Sequence, residues 1–156
     1  MPSEFIKRQK DDLFRDITSL GSLFAYLLIA IFFLIQKNYD LFSELAIGLI
    51  IMYIITITIR SFYFKDRPRK YPHSSFIEKL DASSFPSLHT ARICFLSIVL
   101  IKNIGNYVIS IISIILVALT AYSRVYLKKH DKIDVLAGIV LGVMVYFIVS
   151  CYVKVT

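Results

Sequence analysis

Five apolar runs constrain this chain more than anything else in it: Ile17–Ile35, Leu41–Ile59, Ala91–Ile101, Tyr107–Tyr122 and Ile133–Val153. Several approach the roughly 20 residues that a helix needs to cross the hydrocarbon of a bilayer. There every backbone N–H and C=O must be satisfied within the segment, which makes helices the natural fold for runs of this length. The third and fourth runs are shorter and must borrow flanking polar residues, the third starting near Pro86. Arg92 then falls inside a span and has to face protein or water rather than lipid. At 57% hydrophobic residues and mean hydropathy +0.69, the 156 residues are too apolar for a soluble domain of this length. The expected architecture is an all-α integral membrane bundle of about five transmembrane helices, forming one domain over residues 1–156.

The polar segments organise the rest. Residues 3–16 carry Phe5, Ile6, Leu13 and Phe14 among Lys7, Arg8, Lys10, Asp11 and Asp12. They read as an N-terminal interfacial helix, with a frayed polar tail as the alternative. A cleaved signal peptide is not expected, because this charged segment precedes the first run and no small-residue cleavage site follows. Gln36–Asp40 and Lys102–Asn106 read as tight turns between neighbouring spans. The one long connection, Arg60–Ser84, is expected to be functional, since a chain this economical has little use for a spacer. Cys94 and Cys151 lie inside predicted spans and act there as small apolar residues. Gly138 and Gly142 form a small-xxx-small pair suited to close helix packing. The three histidines have no metal-ligand spacing, so neither a metal nor another cofactor is expected.

The charge is one-sided. Five crossings would put fifteen of the 18 basic residues on one side, leaving only Lys37, Lys102 and Lys154 on the other. Nucleic acid is not the expected partner, because these residues fringe membrane spans rather than a soluble face. The positive-inside rule would make the rich side cytoplasmic. Alternatively the charge serves an anionic substrate and says little about orientation.

Three clusters fall on that basic side. Ser123-Arg124 is followed after five residues by His130, and after three more by Asp134. A histidine and an aspartate four apart share a helix face, so the carboxylate can fix the ring tautomer and leave the other nitrogen free to attack. Arg60 and Arg67-Pro68 lie seven apart, close to two turns, so both guanidiniums can point one way if the helix continues. Ser84-Phe85-Pro86-Ser87-Leu88-His89-Thr90 suits a helix start whose unpaired N–H groups bind phosphate. Together they supply arginine forks, backbone donors and two histidines, one to attack phosphorus and one to protonate a leaving oxygen. Arg92, on the face of His89, is expected to touch phosphate or pair with Asp81; Asp66 is the expected partner of Arg67. Lys128 and Lys129 read as solvated charge able to attract an anionic headgroup, and His73 as a surface residue.

From about Arg60 to Gly142 these residues resemble the type 2 phosphatidic acid phosphatase superfamily, whose active site is shared with vanadium haloperoxidases. Its signature is Lys, six residues, Arg-Pro; then Pro-Ser-Gly-His; then Ser-Arg, five residues, His, three residues, Asp. The third part matches in full, from Ser123 to Asp134. The resemblance implies that His130 is the nucleophile of a phosphohistidine, that Asp134 orients it, and that His89 is the general acid and then the base for water. It assigns Arg60, Arg67, Ser87, Leu88 (through its backbone) and Arg124 to the phosphate. Two departures stand out: Arg60 replaces the lysine, and Leu88 replaces the glycine. Pro86-Ser87-Leu88-His89 is similar to a branch of the same superfamily that includes headgroup transferases, while the intact Ser123-Arg124 pair and the small size favour hydrolysis. The expected function is metal-independent hydrolysis of a lipid phosphate or diphosphate, a polyprenyl diphosphate or a phosphatidylglycerophosphate-like lipid. A headgroup transferase and a non-catalytic lipid-binding scaffold are the alternatives. The family's usual orientation puts the site outside the cell, against the charge count. The oligomeric state is not legible.

Overall fold

The computed structural model describes residues 2–69 and 74–153, with side chains over 4–69 and 74–151. His73 lies outside the described residues. Among the described residues seven helices follow one another: α1 (Pro2–Ser19), α2 (Leu23–Ile35), α3 (Tyr39–Phe62), α4 (Phe76–Ala82), α5 (Leu88–Ile104), α6 (Tyr107–Tyr126) and α7 (Lys132–Val153). No strand occurs among the described residues. Local chemistry sets several boundaries. The side chains of Ser22, Asn38 and Asn106 accept first-turn N–H bonds from α2, α3 and α6, and α4 opens with a Ser75–Glu78 capping box. Gly105 closes α5 at φ +63°, a conformation that disfavours a side chain.

The first predicted span is not one helix. Ile17–Ile35 breaks at residues 20–22, and α1 meets α2 at a bend of 41°. The predicted interfacial segment therefore extends to Ser19 and docks on α6, where Phe14 packs on Tyr122 and Tyr126 with ring centroids 5.3 and 4.3 Å away. Helices α3, α6 and α7 are long and apolar enough to cross a membrane, and the bent α1–α2 pair makes four if it counts as one span.

The remaining predicted span, α5, has 17 residues and keeps Arg92 and several hydroxyls within it. Thr90 to Ser97 are all buried, so α5 is the central post and the other helices meet the lipid in its place. A helix shielded in this way needs no continuous apolar surface. Phe95 anchors the core with Leu45, Met52, Val145 and Val149, and Gly48 makes room for it: a Cβ there would lie 2.2 Å from the ring.

α5 and α7 pack closely through the Gly138–Gly142 pair. A Cβ on Gly138 would approach the Ser87 carbonyl to 2.5 Å, and one on Gly142 the Ala91 carbonyl to 2.7 Å. Both obstacles are backbone, which cannot move aside alone. Gly142→Ala should therefore destabilise the protein by about 1–3 kcal/mol, read as a lowered thermal midpoint in detergent. An unchanged midpoint would contradict this packing.

The ends of the bundle differ. At one end buried Glu44 of α3 accepts from Lys102 at 3.4 Å and Asn103 at 3.3 Å near the end of α5. At the other, the α1–α2 break, the ends of α3 and α6 and the starts of α5 and α7 come together, shown by Arg92 Nε donating to the Gly21 carbonyl and Ser87 N–H to the Asp134 carbonyl. All three sequence clusters meet there.

Candidate active site

A cavity of about 530 Å³ opens at this end, lined by Arg60, Arg67, Leu88, His89, Arg124 and His130 among others. Six of the eight predicted site residues thus share one wall system. The other two, Ser87 and Asp134, are fully buried behind it.

His130 sits in the short connection between α6 and α7, 3% exposed. Its Nδ1 lies 2.8 Å from the carbonyl oxygen of Ser84, which only accepts, and its Nε2 lies 3.1 Å from Nη2 of Arg124, which only donates. Together these neighbours require the proton on Nδ1 and a bare Nε2. Burial, then the guanidiniums of Arg124 and Arg67, push the pKa of His130 down to about 2, against the Ser84 hydrogen bond. The imidazole is accordingly neutral, with a lone pair facing the cavity.

Asp134 does not make the direct bond expected from its spacing. Its Oδ2 stands 3.8 Å from Nδ1, too far for a hydrogen bond, because the connection turns before α7 begins and the pair does not share one continuous helix. The carboxylate instead accepts from Lys65 Nζ at 2.7 Å and from the Asp131 N–H at 2.9 Å. Lys65 also reaches Asp131 at 3.1 Å. Burial works against the charge on Lys65, but its bonds to Asp134 and Asp131 outweigh it and hold the ammonium above its ordinary pKa. Sequence reasoning missed Lys65, which lies in the unspecified gap between Arg60 and Arg67, 69 positions from Asp134.

The arginines divide their labour. α3 ends at Phe62, so Arg67 stands on an extended segment rather than two turns along a helix. Arg67 Nη2 donates to the Asp81 carbonyl, not to an Asp66 carboxylate. Arg60 spends its fork on carbonyls: Nε on Phe85 at 3.3 Å, Nη1 on Leu80 at 2.9 Å and Nη2 on Pro86 at 3.1 Å. It lines the cavity while clamping the segment that leads into α5. Arg124 reaches both His130 and, through Nη1, the Thr18 hydroxyl at 3.2 Å.

Ser87 caps no N–H with its side chain. Its hydroxyl pairs with that of Thr90 at 3.0 Å, and its N–H is taken by the Asp134 carbonyl. Leu88 puts a half-buried side chain into the cavity wall. His89 is half-buried, with Nδ1 lying 3.4 Å from Nη2 of Arg92. Of the two expectations for Arg92, pairing with Asp81 is not seen: its other nitrogens bond the Gly21 carbonyl and the Tyr53 hydroxyl, and the residue lines the cavity. Lys129 lines the cavity, whereas Lys128 is exposed outside it. Thr56 also lines the wall, and its buried hydroxyl has no hydrogen-bond partner among the described residues.

Residues 41–155 match the PAP2 superfamily. Over 103 residues the chain is 33% identical to undecaprenyl-diphosphatase BcrC of Bacillus subtilis (strain 168), a stretch covering 65% of this chain and 50% of that protein. The chain thus spans about half the length of this curated relative. It is similar in structure to LpxE of Aquifex aeolicus, with TM-score 0.77 and 23% identity over 92% of this chain and 87% of that one. It is also similar to the first transmembrane PAP2 type phosphatidylglycerolphosphate phosphatase from Bacillus subtilis, with TM-score 0.73 and 23% identity over 94% and 77% of the two chains. At that identity the two structures establish a shared fold.

Proposed function

Because this chain belongs to the PAP2 superfamily, we propose that it is a membrane phosphatase, hydrolysing a lipid phosphate or diphosphate through a phosphohistidine on His130. The observation that carries this reading is the bare Nε2 of His130, turned into a cationic cavity beside Arg124. Substrate phosphate draws the Arg124 fork from Nε2 onto its own oxygens, which frees the lone pair to attack phosphorus. Arg67 and Lys129 supply further positive charge for the equatorial oxygens. Arg60 contributes its charge while fixing the 80–86 segment. Asp134 acts on His130 through the connection it braces, and His89 meets the leaving oxygen. With four arginines and a lysine on the wall and Asp81 as its one carboxylate among the described residues, the cavity provides for phosphate the charge that a divalent ion would otherwise bring.

A lipid substrate fits a site set at one end of the membrane-crossing helices, with Leu23, Ile57 and Ile77 among its lining residues. The names of the relatives support the class, one being a diphosphatase of a polyprenyl lipid and one a phosphatase of phosphatidylglycerolphosphate. Leu88 in the cavity wall, where the signature has glycine, is the feature that favours headgroup transfer over hydrolysis.

The test is phosphate release by detergent-purified protein in EDTA, from polyprenyl diphosphate and from phosphatidylglycerophosphate, with and without a lipid alcohol acceptor. Release that persists in chelator is the expected result. Loss in chelator would overturn the metal-free mechanism, and product formed only with the acceptor would establish a transferase.

A further inference from the structure

Arg92 belongs to none of the three motifs, yet it is 4% exposed and stands one helical turn from His89. Its Nε and Nη1 are held by the Gly21 carbonyl and the Tyr53 hydroxyl, both at 3.1 Å, which aims Nη2 at Nδ1 of His89. A guanidinium only donates and does not give up its proton. The nitrogen facing it must be bare, so the single ring proton of His89 sits on Nε2. A second proton would set N–H against N–H and one cation against another. The other elements around the cavity reinforce this. Arg124 comes from α6, Lys129 and neutral His130 from the connection after it, Arg60 from α3 and Arg67 from the segment that follows. Against them stands one carboxylate, Asp81 of α4, which is exposed.

We propose that Arg92 is a positioning residue that fixes His89 as a neutral Nε2–H donor, so that the site favours lipid diphosphates over lipid monophosphates. The inference rests on the phosphatase reading above. With a diphosphate, the Nε2 lone pair of His130 forms the N–P bond to the terminal phosphorus while the bond to the bridging oxygen breaks. The electron pair stays on that oxygen, which leaves as the lipid monophosphate. It is hydrogen-bonded by His89 and takes no proton. Water then attacks phosphorus, the N–P electrons return to His130 Nε2, and both hydrogens of the water leave on dihydrogen phosphate. With a monophosphate the same break would leave an alkoxide. A neutral imidazole could protonate it only by becoming an anion, which is far outside the range in which histidine serves as an acid.

The experiment compares farnesyl diphosphate with farnesyl monophosphate, which carry the same tail, on the purified full chain and on Arg92→Gln. Wild-type protein is expected to prefer the diphosphate in kcat/KM. In Arg92→Gln that preference should shrink by about tenfold or more, because His89 becomes free to carry a second proton and act as a full acid. An equal loss on both substrates would reduce Arg92 to a structural role, and a wild-type preference for the monophosphate would overturn the proposal outright. Nitrogen-15 spectra of histidine-labelled protein, with His89→Gln for assignment, read the tautomer without any turnover. A bare Nδ1 and a protonated Nε2 are expected, and a protonated Nδ1 would refute the role of Arg92. Phosphate release from neither substrate would sink the phosphatase reading and the substrate preference with it, leaving the spectra to decide the positioning role.

Discussion

His130→Ala is expected to lower turnover by on the order of 10⁴-fold or more and to abolish trapping of a phosphoenzyme. The size follows from the proposed role: the variant loses the atom assigned to the attack, while the Arg67 and Arg124 forks stay on the cavity wall. Substrate should therefore still bind, with KM changing far less than kcat. Acid-quenched protein after incubation with ³²P-labelled substrate would show label in the wild type and none in the variant. Label retained in His130→Ala would put the nucleophile elsewhere and undo the assignment.

Lys65→Met should produce the second large effect, in three quantities at once. The substitution leaves the fully buried Asp134 carboxylate without its 2.7 Å cationic partner. Breaking a buried pair from one side destabilises strongly, and since Lys65 itself is 23% exposed a loss of about 2–3 kcal/mol is expected. The connection that carries His130 then loosens, and a displacement near 1 Å is enough to lower kcat/KM by about 10²-fold. The pH dependence supplies the sign. As the proposed nucleophile His130 must be neutral, and its pKa is held far below the ordinary histidine value, so the acid limb of wild-type kcat/KM should lie below about pH 6.5. Without Lys65, the negative charge 3.8 Å from Nδ1 favours the imidazolium, and the limb should move up. The same depressed pKa means that below pH 6.5 the unfolded chain binds a proton that the folded one does not, so wild-type stability falls as the pH drops. Lys65→Arg, which keeps the charge, should retain most of all three properties. Unchanged stability and an unmoved acid limb in Lys65→Met would remove Lys65 from the site.

Much of this was legible because it follows from local rules. Apolar runs announce helices, and the motif spacings bring Arg60, Arg67, Leu88, His89, Arg124 and His130 to one cavity. What the sequence hid depends on long-range pairing. Nothing in it says that Lys65 would reach across 69 positions to Asp134, or that the Ser84 carbonyl would take the ring proton expected to face the aspartate. Hydropathy alone also made Ile17–Ile35 one span and α5 a short span that borrows flanking polar residues. It could not foresee a break at residues 20–22, where the Gly21 carbonyl is needed by Arg92, nor a central helix relieved of contact with lipid.

That central position of α5 has a mechanical meaning. Bilayers differ in thickness, and helices in contact with acyl chains answer by tilting. His89 stands on the helix most sheltered from that force, and the glycines of α7 lock the start of α5 to the helix just beyond His130. Elastic strain from the surrounding lipid is thus borne by the outer wall, while the spacing between the two histidines is set by backbone meeting backbone.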